Sequence, residues 1–134
     1  MTATLSLPSD YLERLIVRAR GLQAREPEVD PIPGSNPTDD NMRDAVQDTR
    51  GDLSREELRE ELQGLTGRGR AELVALLWVG RGDEEPEDWD AIVEVARGRV
   101  ETPTPTYLLS EPLVGEYWSE GAEKIGLNLF QGSA

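Results

Sequence analysis

Apolar residues recur along this chain at helical spacing and nowhere alternate with polar ones over a useful length. Leu12, Leu15, Ile16, Ala19 and Leu22 follow Pro8 and Ser9 and predict an amphipathic helix from residue 9 to about 24, with Arg14, Arg18 and Arg25 outside. Met42, Ala45, Val46 and Thr49 suggest a short helix closed by Gly51. Ser54 and Glu57 have the spacing of a capping box, with Leu53 and Leu58 placed as a hydrophobic staple. They predict a helix from Ser54 to about Gln63 that buries Leu58, Leu62 and Leu65 and stops at Gly64.

The run Leu73 to Val79 is continuously apolar, a pattern shared by buried strands and buried helices. Its flanks decide for a helix: Thr66 caps it, Arg70, Ala71 and Glu72 lengthen it backwards, and Gly80 and Gly82 supply a left-handed stop. This helix is expected at the centre. Pro86, Glu87 and Asp88 open another, with Trp89, Ile92, Val93, Ala96 and Val100 inside. Thr104 and Pro105 start a short segment ending at Leu109. Pro112 opens the last helix, with Leu113, Val114, Tyr117, Trp118 and Ile125 on its apolar face and Gly126 at its end.

The expected fold is therefore all-α, an irregular bundle of five to seven short helices without internal repeats. Residues 1–134 read as a single helical domain, in which 1–25 hold the N-terminal helix and 41–130 the helical body. Between them, residues 26–40 carry Pro27, Pro31, Pro33 and Pro37 among acids, the composition of an acidic, proline-rich linker.

Composition narrows the chemistry. Histidine and cysteine are both absent, which removes imidazole acid–base catalysis, thiolate nucleophiles, zinc sites of the usual kind and disulfides. The formal net charge is −13, and clustered cations for phosphate neutralisation are missing, so neither nucleic acid nor an anionic membrane is an expected partner. Leu73 to Val79 is far too short to span a bilayer, and the N-terminus lacks a basic start with an apolar core; a soluble cytoplasmic protein is expected. Residues 1–25 run against the overall charge, with four Arg facing Asp10 and Glu13, so the first helix is expected to lie on an acidic body.

Several motifs offer candidate sites. Asp48 to Leu58 resembles the second half of an EF-hand loop, but Val46 and Arg50 fall where calcium needs oxygen ligands, and no metal is assigned. The Arg50-Gly51-Asp52 tripeptide matches a cell-adhesion ligand and reads here as a helix junction. Glu56-Glu57-x-x-Glu60 with Glu85-x-x-Asp88 resembles the paired acidic motif of all-helical nucleoside-triphosphate pyrophosphohydrolases, which implies magnesium held by Glu57, Glu60, Glu85 and Asp88. The competing explanation is a solvated helix face and an acidic first turn. Arg68 and Arg70, interleaved with Gly67 and Gly69 before the apolar helix, could hold a phosphate or carboxylate. Arg81, between two glycines and ahead of Asp83, reads as a cation at a helix end.

The aromatic residues point elsewhere. Trp78, Trp89 and Trp118 all fall on apolar stripes, where core packing is the default. Tyr117 adjoins Trp118, and neighbours on a helix lie about 100° apart, so one of them reaches the edge of the buried face. Tyr107, Tyr117, Trp118 and Phe130 make up the candidate contact patch.

Glu72 to Asp83, Trp89 to Arg97, and Tyr107 to Val114 with Tyr117, Glu120 and Gly121 resemble a family of small acidic bacterial proteins known only as a domain of unknown function. The likeness runs over roughly residues 54–126. The Trp-x-Gly-Arg-Gly-Asp and Tyr-Leu-Leu-x-x-Pro-Leu steps are its specific parts. The resemblance implies a bacterial cytoplasmic helical protein without an assigned activity and supplies no catalytic site. The leading expectation is a non-enzymatic module that binds another protein, or itself, without a cofactor. A magnesium-dependent hydrolase and an anion sensor are the alternatives.

Overall fold

The computed structural model describes residues 4–25, 53–99 and 103–130. The expected linker, the short helix before Gly51, the calcium-loop half-motif up to Asp52 and the Arg-Gly-Asp tripeptide lie outside the described residues, as does Val100. Among the described residues there are six α-helices and no strand, so the fold is all-α.

At the centre is the helix Gly67–Arg81, numbered α3 after α1 (Ser9–Arg25) and α2 (residues 53–63). Thr66 caps α3, its hydroxyl accepting from the Gly69 N–H at 3.0 Å. The other end closes at Gly82, whose φ of 89° is open to glycine at little cost, while the Asp83 N–H donates to Trp78 O at 2.9 Å. Between these caps every side chain from Ala71 to Leu77 is buried, Glu72 included. The apolar run is thus a helix enclosed on all sides, packed against α4 (Trp89–Arg97), α5 (Thr104–Leu109) and α6 (Val114–Lys124).

Glycine sets how closely α3 and α6 approach. A Cβ on Gly80 would collide with the Tyr117 carbonyl and come within 3.0 Å of Tyr117 Cα; one on Gly121 would collide with the Leu76 carbonyl. Each helix therefore presents a glycine to the other's backbone, and the pair packs without side chains between at those points. Trp118 fills the space beside them and donates Nε1–H to Leu73 O at 3.0 Å, and Lys124 Nζ donates to Val79 O at 3.1 Å.

Helix α1 buries Leu12, Leu15, Ile16, Ala19 and Leu22 and meets α6 where Gly115 leaves room for Ala19 and the Ile16 carbonyl. As its charge pattern suggested, it lies on acidic partners: Arg18 pairs with Glu61 and Arg20 with Glu116, both at 2.5 Å. The segment before it is fastened to α3. Both Glu72 carboxylate oxygens accept from the Ser6 N–H, at 3.0 and 2.9 Å, and Oε1 also from the Ser6 hydroxyl at 2.8 Å. Leu7 packs over Gly69, where a Cβ would stand 3.2 Å from its Cδ2.

Three local expectations are corrected. Helix α2 begins at residue 53, one residue ahead of the expected start at Ser54, and Leu53 is exposed while Leu58 is buried. The helix after Gly82 opens as a 3-10 turn, Pro86–Asp88, before the α-helix takes over at Trp89. The last helix starts at Val114 and not Pro112; residues up to Leu113 form a turn held by Val114 N–H to Glu111 O, which leaves Leu113 exposed.

Candidate interaction surface

The four aromatic residues expected to form one contact patch differ in burial. Trp118 is fully buried, 0 % exposed, so it packs the α3–α6 interface and offers nothing to a partner. Tyr117 is the member of that pair at the edge of the buried face, partly covered. Tyr107, on α5, is also half-buried: its hydroxyl accepts from Trp78 Nε1 at 2.9 Å, and the Arg99 guanidinium lies 3.9 Å from its ring centroid.

Arg81 completes this cluster, binding Asp83 at 2.6 Å and approaching Glu111 at 3.6 Å. The hydrogen bond that it donates to Asp83 holds the guanidinium above its ordinary pKa. The Trp-x-Gly-Arg-Gly-Asp and Tyr-Leu-Leu-x-x-Pro-Leu steps therefore meet in space, and what they build is a polar seam at the end of α3, in which one buried nitrogen of the Arg99 guanidinium is left without a hydrogen-bond partner among the described residues.

Glu57, Glu60, Glu85 and Asp88 are all exposed, and no group of three or more Asp or Glu among the described residues is placed to grip a metal ion. The structure does not bring the two halves of the acidic motif together. The two arginines in the first turn of α3 are engaged within the fold. Arg68 Nε reaches Glu72 at 3.2 Å, and Arg70 donates to Gln63 O at 2.7 Å and Leu65 O at 2.5 Å, closing the carboxyl end of α2. Gly69 is explained by Leu7 above it and the Gly69 N–H by the Thr66 cap.

Open apolar surface gathers on the outer side of α1. Helical spacing puts Asp10, Arg14, Val17 and Gly21 on one stripe, and Val17 is 56 % exposed. Phe130 closes one side of a groove of about 550 Å³ whose other walls are Asp10, Glu13, Arg14, Val17 and Arg18. A second depression of about 290 Å³, between α1 and α2, shares Val17 and Arg18 with it and continues along Gly21 to Ser54 and Leu58. Phe130 is held at φ 58°, a left-handed conformation uncommon for a bulky residue, by its N–H donating to Glu13 at 2.6 Å. Its ring lies beneath the Arg20 guanidinium and stays 45 % exposed. Strain of about 1–2 kcal/mol is thus spent on fixing an aromatic ring at the surface.

Beside this groove sits the clip that fixes α1 to α2. Glu61 accepts from the Tyr11 hydroxyl at 2.6 Å and from Arg18 at 2.5 Å. The Tyr11 bond holds Glu61 below its ordinary pKa, while burial and the neighbouring carboxylate push Tyr11 up to about 12. Arg14 lies over the Tyr11 ring, 5.7 Å from its centroid, and makes no ion pair among the described residues. From the sequence Arg14 was placed on the outer face of the helix but not in a site, and Val17 was not singled out. The available signal was a β-branched apolar residue on the polar side of an amphipathic helix.

Fold and surface together define an all-helical bundle with an outward groove along α1, lined by Val17 and Phe130 among charged residues. No helix among the described residues is long and apolar enough to cross a membrane. Residues 55–127, more than half of the chain, match the family described as Protein of unknown function (DUF3775), and the chain belongs to that family. Comparison with curated proteins and with solved structures gives no match. The match begins within α2 and leaves out α1, so the groove is formed mainly by residues before the matched span, with Phe130 just beyond its end.

Proposed function

We propose that this chain is a protein-interaction module whose docking surface is the outer face of α1 together with Phe130. The observation carrying this reading is the pairing of Val17, 56 % exposed, with a Phe130 ring held in place across the groove. Exposed aromatic side chains and arginine are residue types enriched at protein interfaces, and here they adjoin an exposed apolar residue. The expected contact site thereby shifts: Phe130 stays, Val17 and Arg14 join it, and Trp118 leaves. The reading needs no cofactor and goes with a bacterial, cytoplasmic setting, for which the acidic composition and the family resemblance speak.

A photo-crosslinking residue at Val17, compared with one at Val95, tests this. Val95, on α4, is more exposed, at 64 %, but lines neither groove on α1. A docking surface predicts one discrete adduct from Val17, mapped to an apolar segment and abolished by Phe130→Asp, against a diffuse background from Val95. Equal, diffuse labelling from both positions would contradict the reading.

A further inference from the structure

We infer that the seam at the end of α3 is a binding site for a small monocarboxylate with an apolar body, held by the Arg99 guanidinium and the Tyr107 hydroxyl beside Arg81. The site is apart from the groove on α1 and stands whether or not that groove docks a partner.

Arg99 is the residue that the fold leaves unexplained. It follows the carboxyl end of α4, where the helix dipole favours a cation, but a dipole satisfies none of its N–H groups. The residue is partly buried and its Nη1 wholly so, yet among the described residues that nitrogen has no hydrogen-bond partner and the guanidinium no ion pair. A guanidinium stays charged, and a cation withdrawn from water is ordinarily paired. With 27 acidic residues against 14 basic ones, the chain has no shortage of carboxylates to pair it. Arg14 also has only a ring beside it among the described residues, but it is exposed, so water serves it.

Tyr107 holds the guanidinium in place, 3.9 Å from its ring centroid, and brings further donors to the same spot. Its hydroxyl accepts from Trp78 Nε1 at 2.9 Å, and none of the described residues accepts its own proton. Arg81 faces the same hydroxyl, and its Nη1 stands 3.6 Å from Glu111, longer than a hydrogen bond. Arg81 is 33 % exposed and Arg99 and Tyr107 are partly so, which leaves the seam open to solvent on one side. A carboxylate fits this set, one face on the guanidinium fork and one oxygen accepting from Tyr107. Charge selects it over phosphate: Asp83 and Glu111 already offset Arg81, so Arg99 has one negative charge to take, and a chain of net −13 repels a dianion more strongly. The partly buried rings of Trp78 and Tyr107 offer the apolar contact.

Titration of the full chain with benzoate, followed by the indole N–H resonances of the nitrogen-15-labelled protein, tests this. The Trp78 Nε1–H, identified by its loss in Trp78→Phe, should shift and saturate at millimolar benzoate while those of Trp89 and Trp118 stay in place. Benzamide, of the same shape without the charge, and phosphate at equal ionic strength should move it little. Arg99→Gln should weaken benzoate binding about tenfold or more, and Arg99→Lys, which keeps the charge and loses the fork, by a smaller factor. A Trp78 resonance unmoved by benzoate, an equal response to benzamide or phosphate, or an affinity unchanged in both Arg99 variants overturns the inference.

Discussion

Helices α6 and α1 flank the same core but are fixed to it by different means. Helix α6 meets α3 backbone to backbone at Gly80 and Gly121, with Trp118 wedged beside the contact. Helix α1 also buries a full apolar face, yet its edges are tied by charged clips: Ser6 to Glu72, Tyr11 and Arg18 to Glu61, Arg20 to Glu116. The first kind of joint tolerates no added atom and holds little that a solvent change could loosen. The second is built from partly exposed polar pairs worth little individually, and among the described residues it leaves Val17 on the outer face of α1 exposed. The two halves of the family's signature both serve the first kind of joint and the seam at its end. The groove belongs to the second.

The sharpest way to break this contrast is at Trp118. Trp118→Ala removes a fully buried indole and its bond to Leu73 O, and should cost about 3–5 kcal/mol in denaturant unfolding. Gly121→Ala comes next. One methyl forced into the Leu76 carbonyl should cost about 3 kcal/mol, the upper end for overpacking, because a backbone cannot rotate aside as a side chain would. The same substitution at Gly21 meets open space and should instead stabilise the protein by about 0.5–1 kcal/mol, since alanine is the better helix former. Equal effects at the two glycines would erase the distinction between the joints.

Smaller changes probe the clips. Glu72→Ala strips the Ser6 N–H and hydroxyl of their acceptor and should cost about 2 kcal/mol, with amides of the Leu5 to Leu7 segment exchanging faster while α3 and α6 stay protected. The Tyr11–Glu61 clip should be worth only about 0.5–1 kcal/mol, because both side chains are partly in water. Its pH dependence has a definite sign. Glu61 is held below its ordinary 4.5, so the contribution is present above that pH and lost as pH falls through the lowered folded value. Tyr11 is held above its ordinary 10.0, so the contribution starts to fall there and is gone beyond about 12. The stability difference between the native chain and Tyr11→Phe, measured by chemical denaturation across pH, should therefore be flat from about 4.5 to 10 and shrink on both sides.

Much of the fold could be read from the sequence because its signals are local. Thr66 and Gly82 bracket α3 within a few residues of its ends, Gly126 terminates the stretch after α6 at φ 94°, and the stripes of α1 and α4 follow simple periodicity. Long-range partners were not legible. Gly121 looks like a weak point in a helix until Leu76 is seen against it, and Glu72 looks like one more surface acid until Ser6 closes over it. The Gly67-Arg68-Gly69-Arg70 run suggests an anion cradle, yet Leu7 from the far end of the chain occupies the space above Gly69. The aromatic patch was misjudged for the same reason. Burial of Trp118 depends on what α3 offers it, and exposure of Val17 on how the described residues pack around α1, neither of which a single stripe of sequence contains.

Native-state hydrogen exchange tests the central division most directly. If the α3–α6 pair is joined at its backbones and α1 is clipped on, then amides in α3 and α6 exchange only through global unfolding, while those in α1 exchange through a smaller opening whose free energy falls with Glu72→Ala and Tyr11→Phe. Matching exchange free energies in α1, α3 and α6, unmoved by those substitutions, would contradict it.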